Sequence, residues 1–251
     1  MPTNSSAQTM VKKRLKITVC TVLLHLLLWP LTAIAESCVI LLHGMARTDA
    51  SMTTIEEELA SEGYRVVNYG YPSTEFNIQT LAAKYPSEAI AKCGEVKAIH
   101  FVTHSLGGII LRKYLSDNKI AKLGRVVMLG PPNQGSEVVD KLKNLPGFEW
   151  INGPAGQELG TGEQSVPNTL GPVDYPVGII AGNKTFNPLL SLLLPNPDDG
   201  KVSVARTKVE GMSDHIVIPT THTFMMRNQQ VISQVKAFLA TGVFTRTAPS
   251  Q

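Results

Sequence analysis

The chain has 251 residues and a formal charge of +3, from 23 basic and 20 acidic side chains. Four basic residues, Lys12, Lys13, Arg14 and Lys16, fall in the first 35 positions with no acidic partner, so residues 36–251 carry 19 basic against 20 acidic side chains, a formal −1. The apparent basicity is therefore no argument for a nucleic-acid partner, which would need a basic patch on the folded part, and the remaining 216 residues are enough to bury one full core.

The first segment reads as a targeting element. A basic cluster at residues 12–16 is followed by an apolar stretch from Ile17 to Trp29 and by Ala33-Ile34-Ala35, a small-x-small cleavage pattern ahead of Glu36. Met10 lies just before the basic cluster and is a second candidate start. The expectation is a signal peptide over 1–35, export of the mature chain to the periplasm or medium, and one folded domain over 36–251. The alternative is an uncleaved N-terminal anchor: Ile17 to Ala35 is near the lower length limit for spanning, but contains His25 and Pro30.

Beyond Glu36 the pattern alternates strand and helix. Cys38–Leu42 is a short continuous apolar run, as a strand covered on both faces requires. Ser51–Glu62 reads as a helix with apolar Met52, Ile55 and Leu59 and a stop at Gly63. Tyr64–Tyr69 is a second strand. Ile78–Lys92 is helical, with a break expected near Pro86. Val96–Thr103 is a strand and Leu106–Ser116 its helix. Arg125–Leu129, Val177–Ala181 and His215–Ile218 are further strands, and Gln229–Leu239 is a closing helix. Residues 144–172 are rich in Gly, Pro and Asn without a clear period; they read as an ordered excursion roofing the site, or as a plain surface loop. Six apolar strands separated by helices imply an α/β fold with a mostly parallel sheet and helices on both faces. Cys20 leaves with the signal. Cys38 and Cys93 both fall at the bottom edge of that sheet in an oxidising compartment, and are read as a bridge or as two buried thiols.

The third strand ends in Thr103-His104-Ser105-Leu106-Gly107-Gly108. An apolar strand that breaks at a serine and turns at once into a helix lifts the hydroxyl above the sheet edge. Gly107 lets the backbones approach without a Cβ between them, and unpaired N–H groups at the helix start can hold an oxyanion. The usual elbow pattern is Gly-x-Ser-x-Gly. Thr103 stands in the first glycine position and puts a larger side chain where room is short.

A serine nucleophile needs a base. His100 lies inside the strand, and His104, adjacent to Ser105, diverges from it at a sharp turn. His215 begins the last strand, at the bottom of the sheet, whereas His222 follows that strand's upper end and is preferred. His43, in His43-Gly44-Met45-Ala46 after the first strand, reads as a loop-ordering residue, with a backbone N–H just after His43-Gly44 pairing with that of Leu106 around an oxyanion. The acid should lie on an upper loop ahead of the base. Asp199, before Gly200, is preferred; Asp198 is the alternative, with capping as its other role, and Asp174 precedes its strand at the bottom.

Together, Leu41-Leu42-His43-Gly44, the Thr103–Gly108 segment, Asp199-Gly200-Lys201-Val202 and His222 resemble the α/β-hydrolase superfamily, and more narrowly bacterial secreted lipases and esterases. Gly130-Pro131-Pro132-Asn133-Gln134-Gly135-Ser136 is similar to a segment common after the next strand in such lipases. The resemblance spans residues 38–240. It implies Ser105 as nucleophile, Asp199 as acid, His222 as base and Met45 and Leu106 as oxyanion donors. The expected activity is serine carboxylester hydrolysis through an acyl-enzyme, with a thioesterase or acyltransferase, or a non-catalytic binding protein, as alternatives. No metal-ligand spacing is present and acyl transfer through serine needs no cofactor, so none is expected. The apolar run Phe186–Leu194 suits an acyl chain or a membrane surface if exposed, and core if buried.

Overall fold

A computed structural model describes residues 37–186 and 188–246. The signal-peptide reading over 1–35 lies outside the described residues, as does Asn187 within the apolar run. The described residues all fall within one compact unit.

Six strands, β1 (Ser37–Leu42), β2 (Arg65–Tyr69), β3 (Ala98–His104), β4 (Leu123–Leu129), β5 (Val177–Gly182) and β6 (Asp214–Ile218), form one sheet in the order β2-β1-β3-β4-β5-β6. Every neighbouring pair is parallel. This is the α/β architecture expected, and the period-two geometry of the strands builds its two cores. Cys38, Ile40 and Leu42 of β1, Phe101 of β3, and Val126 and Met128 of β4 enter one core. There they meet α2 (Ile78–Lys92) and α3 (Leu106–Asp117) through Leu81, Tyr85, Ile109 and Ile110. The intervening Val39, Leu41, Val102, Val127 and Leu129 face the other core, formed with α1 (Thr53–Ser61) and α7 (Gln229–Thr241) through Ile55, Leu59, Val235 and Phe238. Residues buried on both faces explain why these strands read as unbroken apolar runs rather than alternating ones.

Two local expectations need correction. Helix α2 is not broken at Pro86: it runs from Ile78 to Lys92 with the proline inside. Pro86 is buried, flanked by buried Tyr85 and Ala89. Apolar contacts on both sides of the missing N–H offset the lost ladder bond. Residues 144–172 are likewise not an aperiodic loop throughout. They contain α5 (Phe148–Gln157) and α6 (Val166–Thr169), following α4 (Glu137–Leu142). Gly153, at φ 66°, and Pro154 kink α5 in its middle, and that kink erases the helical period from the sequence. Cys38 and Cys93 are joined in a disulfide with their Cα atoms 5.7 Å apart, the bridged alternative of the two. It ties the first residue pair of β1 to the end of α2 at the lower edge of the sheet.

Candidate active site

The carboxyl ends of β1, β3, β4 and β5 converge above the sheet, where side chains from separate crossovers can meet. β3 ends at His104, and Ser105 follows at φ 52°, ψ −121°, before α3 begins at Leu106. A non-glycine residue there stores about 1–3 kcal/mol of backbone strain. Its surroundings over-determine it. The Ser105 N–H donates to the Leu129 carbonyl at 2.9 Å, tying the turn to β4. A Cβ on Gly107 would lie 2.6 Å from the Leu42 carbonyl oxygen and 2.8 Å from that of His43, so only glycine lets α3 start against the end of β1. The room denied by Thr103 is returned on the helix side. Gly108 faces Thr103, whose Oγ1 would be 3.3 Å from a Cβ there.

Ser105, His222 and Asp199, far apart along the chain, form one hydrogen-bonded line. The Ser105 hydroxyl lies 3.0 Å from His222 Nε2, and His222 Nδ1 lies 2.7 Å from Asp199 Oδ2. Partner chemistry assigns the tautomer: Nδ1–H donates to the carboxylate, leaving Nε2 to accept from the hydroxyl. The other carboxylate oxygen, Asp199 Oδ1, accepts the N–H groups of Lys201 at 3.0 Å and Val202 at 2.8 Å. These bonds fix the carboxylate's direction. The His222 N–H also donates to the Asp199 carbonyl at 3.0 Å, so the two residues are held by backbone as well as side chain.

The alternatives weighed in the sequence sit elsewhere. Asp198 turns away from the histidine: its Oδ1 accepts the Gly200 N–H at 2.7 Å and its Oδ2 accepts the Ser191 hydroxyl. That is the turn-capping role. His215 pairs with the Thr207 hydroxyl at 2.9 Å, and partial burial holds it down at about 4. His100 accepts the Arg125 N–H on Nδ1 at 2.8 Å and is packed. Asp174 forms an exposed ion pair with Lys119.

His104 has a role that its position next to the serine did not suggest. Its Nε2–H donates to the His222 carbonyl at 3.0 Å, and the two rings are 4.8 Å apart. Burial, reinforced by repulsion from His222, drives its pKa far down, so it stays neutral. It thereby holds the histidine loop without adding a charge. Gly130, at φ 53°, closes the other side: a Cβ there would lie 3.0 Å from Asp199 Oδ2 and 3.1 Å from His222 Nδ1. In the sequence it reads as a strand stop and as the first residue of the lipase-like Gly130–Ser136 segment, not as a site residue.

The loop after β1 is anchored from β2. His43 stacks on Tyr71 with ring centroids 4.1 Å apart, and its Nε2 accepts the Tyr71 N–H at 3.2 Å. Tyr71 returns a hydrogen bond from its phenol to the His43 carbonyl. The Ala46 N–H donates to Ser73 Oγ at 3.1 Å while Ala46 itself sits at φ 52°. His43 is thus the loop-ordering residue expected, and Tyr71 and Ser73 are its unforeseen partners. The Met45 and Leu106 N–H groups carry no hydrogen bond among the described residues, and Met45 lines the same pocket as Ser105.

That pocket, of about 320 Å³, opens at Ser105 and His222 and is walled by apolar side chains including Val139, Leu142, Phe148, Ile151 and Leu159. Residues 144–172 supply part of this wall, so the excursion does border the site. Among the described residues, no group of three or more His, Cys, Asp or Glu side chains could hold a metal ion.

The sheet, its elbow and its loop positions define the α/β-hydrolase fold. No protein-family model matches the sequence, and no curated protein does. Solved structures do. The chain is similar to the mature form of the Bacillus licheniformis lipase BlEst2, with a TM-score of 0.64 at 18% identity over 83% of this chain and 92% of that one. It is also similar to the phospholipase PlaB of Legionella pneumophila, with a TM-score of 0.63 at 17% identity over 80% of this chain and 57% of that one. The carboxylesterase CesB of Bacillus subtilis gives a TM-score of 0.51 at 15% identity, over 82% and 84% of the two chains.

Proposed function

We propose that this chain is an exported serine hydrolase of carboxylic esters. The observation that carries this reading is the line from the Ser105 hydroxyl through His222 to Asp199, at 3.0 and 2.7 Å, at the mouth of an apolar pocket. In the proposed mechanism Ser105 Oγ attacks the ester carbonyl as His222 Nε2 takes its proton. The carbonyl oxygen, now negative, accepts from the Met45 and Leu106 N–H groups. The tetrahedral species collapses, His222 gives the proton to the leaving alcohol, and the acyl group stays on Ser105. Water then repeats the sequence to free the acid. Asp199 keeps the ring oriented and stabilises the imidazolium throughout.

The acyl chain enters the apolar pocket. The run after β5 supports a lipid-like substrate: Phe186, Leu189 and Leu192 are 72%, 73% and 81% exposed, while Leu190 of the same turn lines the pocket. Apolar side chains thus lead from the surface to Ser105, as contact with a membrane or lipid surface would need. The disulfide supports folding in an oxidising compartment, and so export. No helix among the described residues is long and apolar enough to cross a membrane.

A series of p-nitrophenyl esters of increasing acyl length tests the reading. The purified chain is expected to hydrolyse them, with kcat/KM rising with chain length until the pocket is filled. Absence of hydrolysis across the series would overturn it.

A further inference from the structure

The mouth of the site is apolar on one side only. Adjoining it, a cleft of about 180 Å³ at Ser105 and His222 is bordered by Arg47 and by Lys201, which also lines the apolar pocket. Through Ala46 and Arg47 it runs into a second cleft of about 520 Å³, whose lining includes Arg227, Ser73 and Thr74. Neither lining contains an Asp or Glu residue. Among the described residues, none of the three cations forms an ion pair within 4.0 Å, although six other Lys and Arg side chains do. The ammonium of Lys201 lies below its ordinary range, through desolvation first and repulsion from Arg47 second. The opposing charge it feels, that of Asp199, is already committed to His222 and two backbone N–H groups.

The three side chains are exposed at the rim of one continuous concavity, and a cleft of one sign concentrates ligands of the other. Phosphate and sulfonate oxygens match a guanidinium fork and hydroxyl donors such as Ser73, which already accepts from Ala46 and keeps its own proton to give. Resting on the esterase reading above, we propose that the preferred substrates are esters whose alcohol portion carries an anionic group, bound in the cleft of Arg47, Lys201 and Arg227, with the acyl chain in the adjoining apolar pocket.

The test compares two hexanoyl esters, one of 4-hydroxybenzenesulfonate and one of the neutral 4-hydroxybenzamide, whose phenols are similar leaving groups. At low salt, kcat/KM for the sulfonate ester is expected to exceed that for the neutral ester by about tenfold, and the ratio to fall towards one as salt screens the cleft. Arg227→Gln should lower the ratio severalfold, and Arg47→Gln with Arg227→Gln should bring it to about one. Repeating the comparison with a glycerol monoester and its phosphorylated counterpart tells whether phosphate serves as sulfonate does. Equal rates for both esters in the wild type, or a ratio indifferent to salt and to both substitutions, would overturn the anion site while leaving the esterase reading intact. Hydrolysis of neither ester would overturn both.

Discussion

Ser105→Ala is expected to lower kcat/KM for a p-nitrophenyl ester by about ten-thousandfold or more, with circular dichroism and the thermal transition unchanged. Removing the hydroxyl takes away one hydrogen bond, to His222, and leaves the strained turn, its N–H bond to Leu129 and the glycine contacts in place. Fold and chemistry should therefore separate cleanly at this position. His222→Ala should cost a similar factor. The double variant should be little worse than either alone, because hydroxyl and imidazole act as one unit and neither works without the other. Rates for the four proteins on one ester make the check. Additive losses would mean that the two residues contribute independently, contrary to a shared proton.

The second large effect separates two adjacent carboxylates. Asp199→Asn should lower kcat by about ten-thousandfold, since an amide presents an N–H or a poorer acceptor to the ring and stabilises the wrong tautomer. Asp198→Asn should stay within about tenfold of wild type, because its retained oxygen can still accept the Gly200 N–H that holds the turn. Steady-state kinetics of the two variants on the same ester, with thermal denaturation alongside, measures the contrast. Loss of activity in Asp198→Asn with full activity in Asp199→Asn would reverse the assignment.

The sheet could be read from the chain because its strands are buried on both faces and therefore stand out as apolar runs such as Cys38–Leu42 and Arg125–Leu129. The placement of Ser105, His222 and Asp199 followed from one topological rule, that residues after a parallel strand lie at its upper end. Choosing Asp199 over Asp198 rested only on the following glycine, and it is the coordinates that separate a carboxylate aimed at the ring from one aimed at its own turn. What stayed illegible depends on contacts between distant segments. Pro86 signals a helix break locally and is overruled by the packing of the residues around it. The kinked α5 has no period to detect. Tyr71, Ser73, His104 and Gly130 take their importance from partners 27 to 118 positions away, or, for Gly130, from a void that only Asp199 and His222 define. The cation cleft is of the same kind: Arg47, Lys201 and Arg227 form no motif in one dimension.

An activated serine can be trapped directly. With a fluorophosphonate, Ser105 Oγ would displace fluoride from phosphorus as His222 takes the proton, leaving a stable phosphonyl ester. Peptide mass spectrometry of the treated protein should find the adduct on Ser105 alone, forming rapidly in the wild type and at a rate lowered by orders of magnitude in His222→Ala. No adduct, an adduct on a different residue, or equal rates in the two proteins would contradict the account.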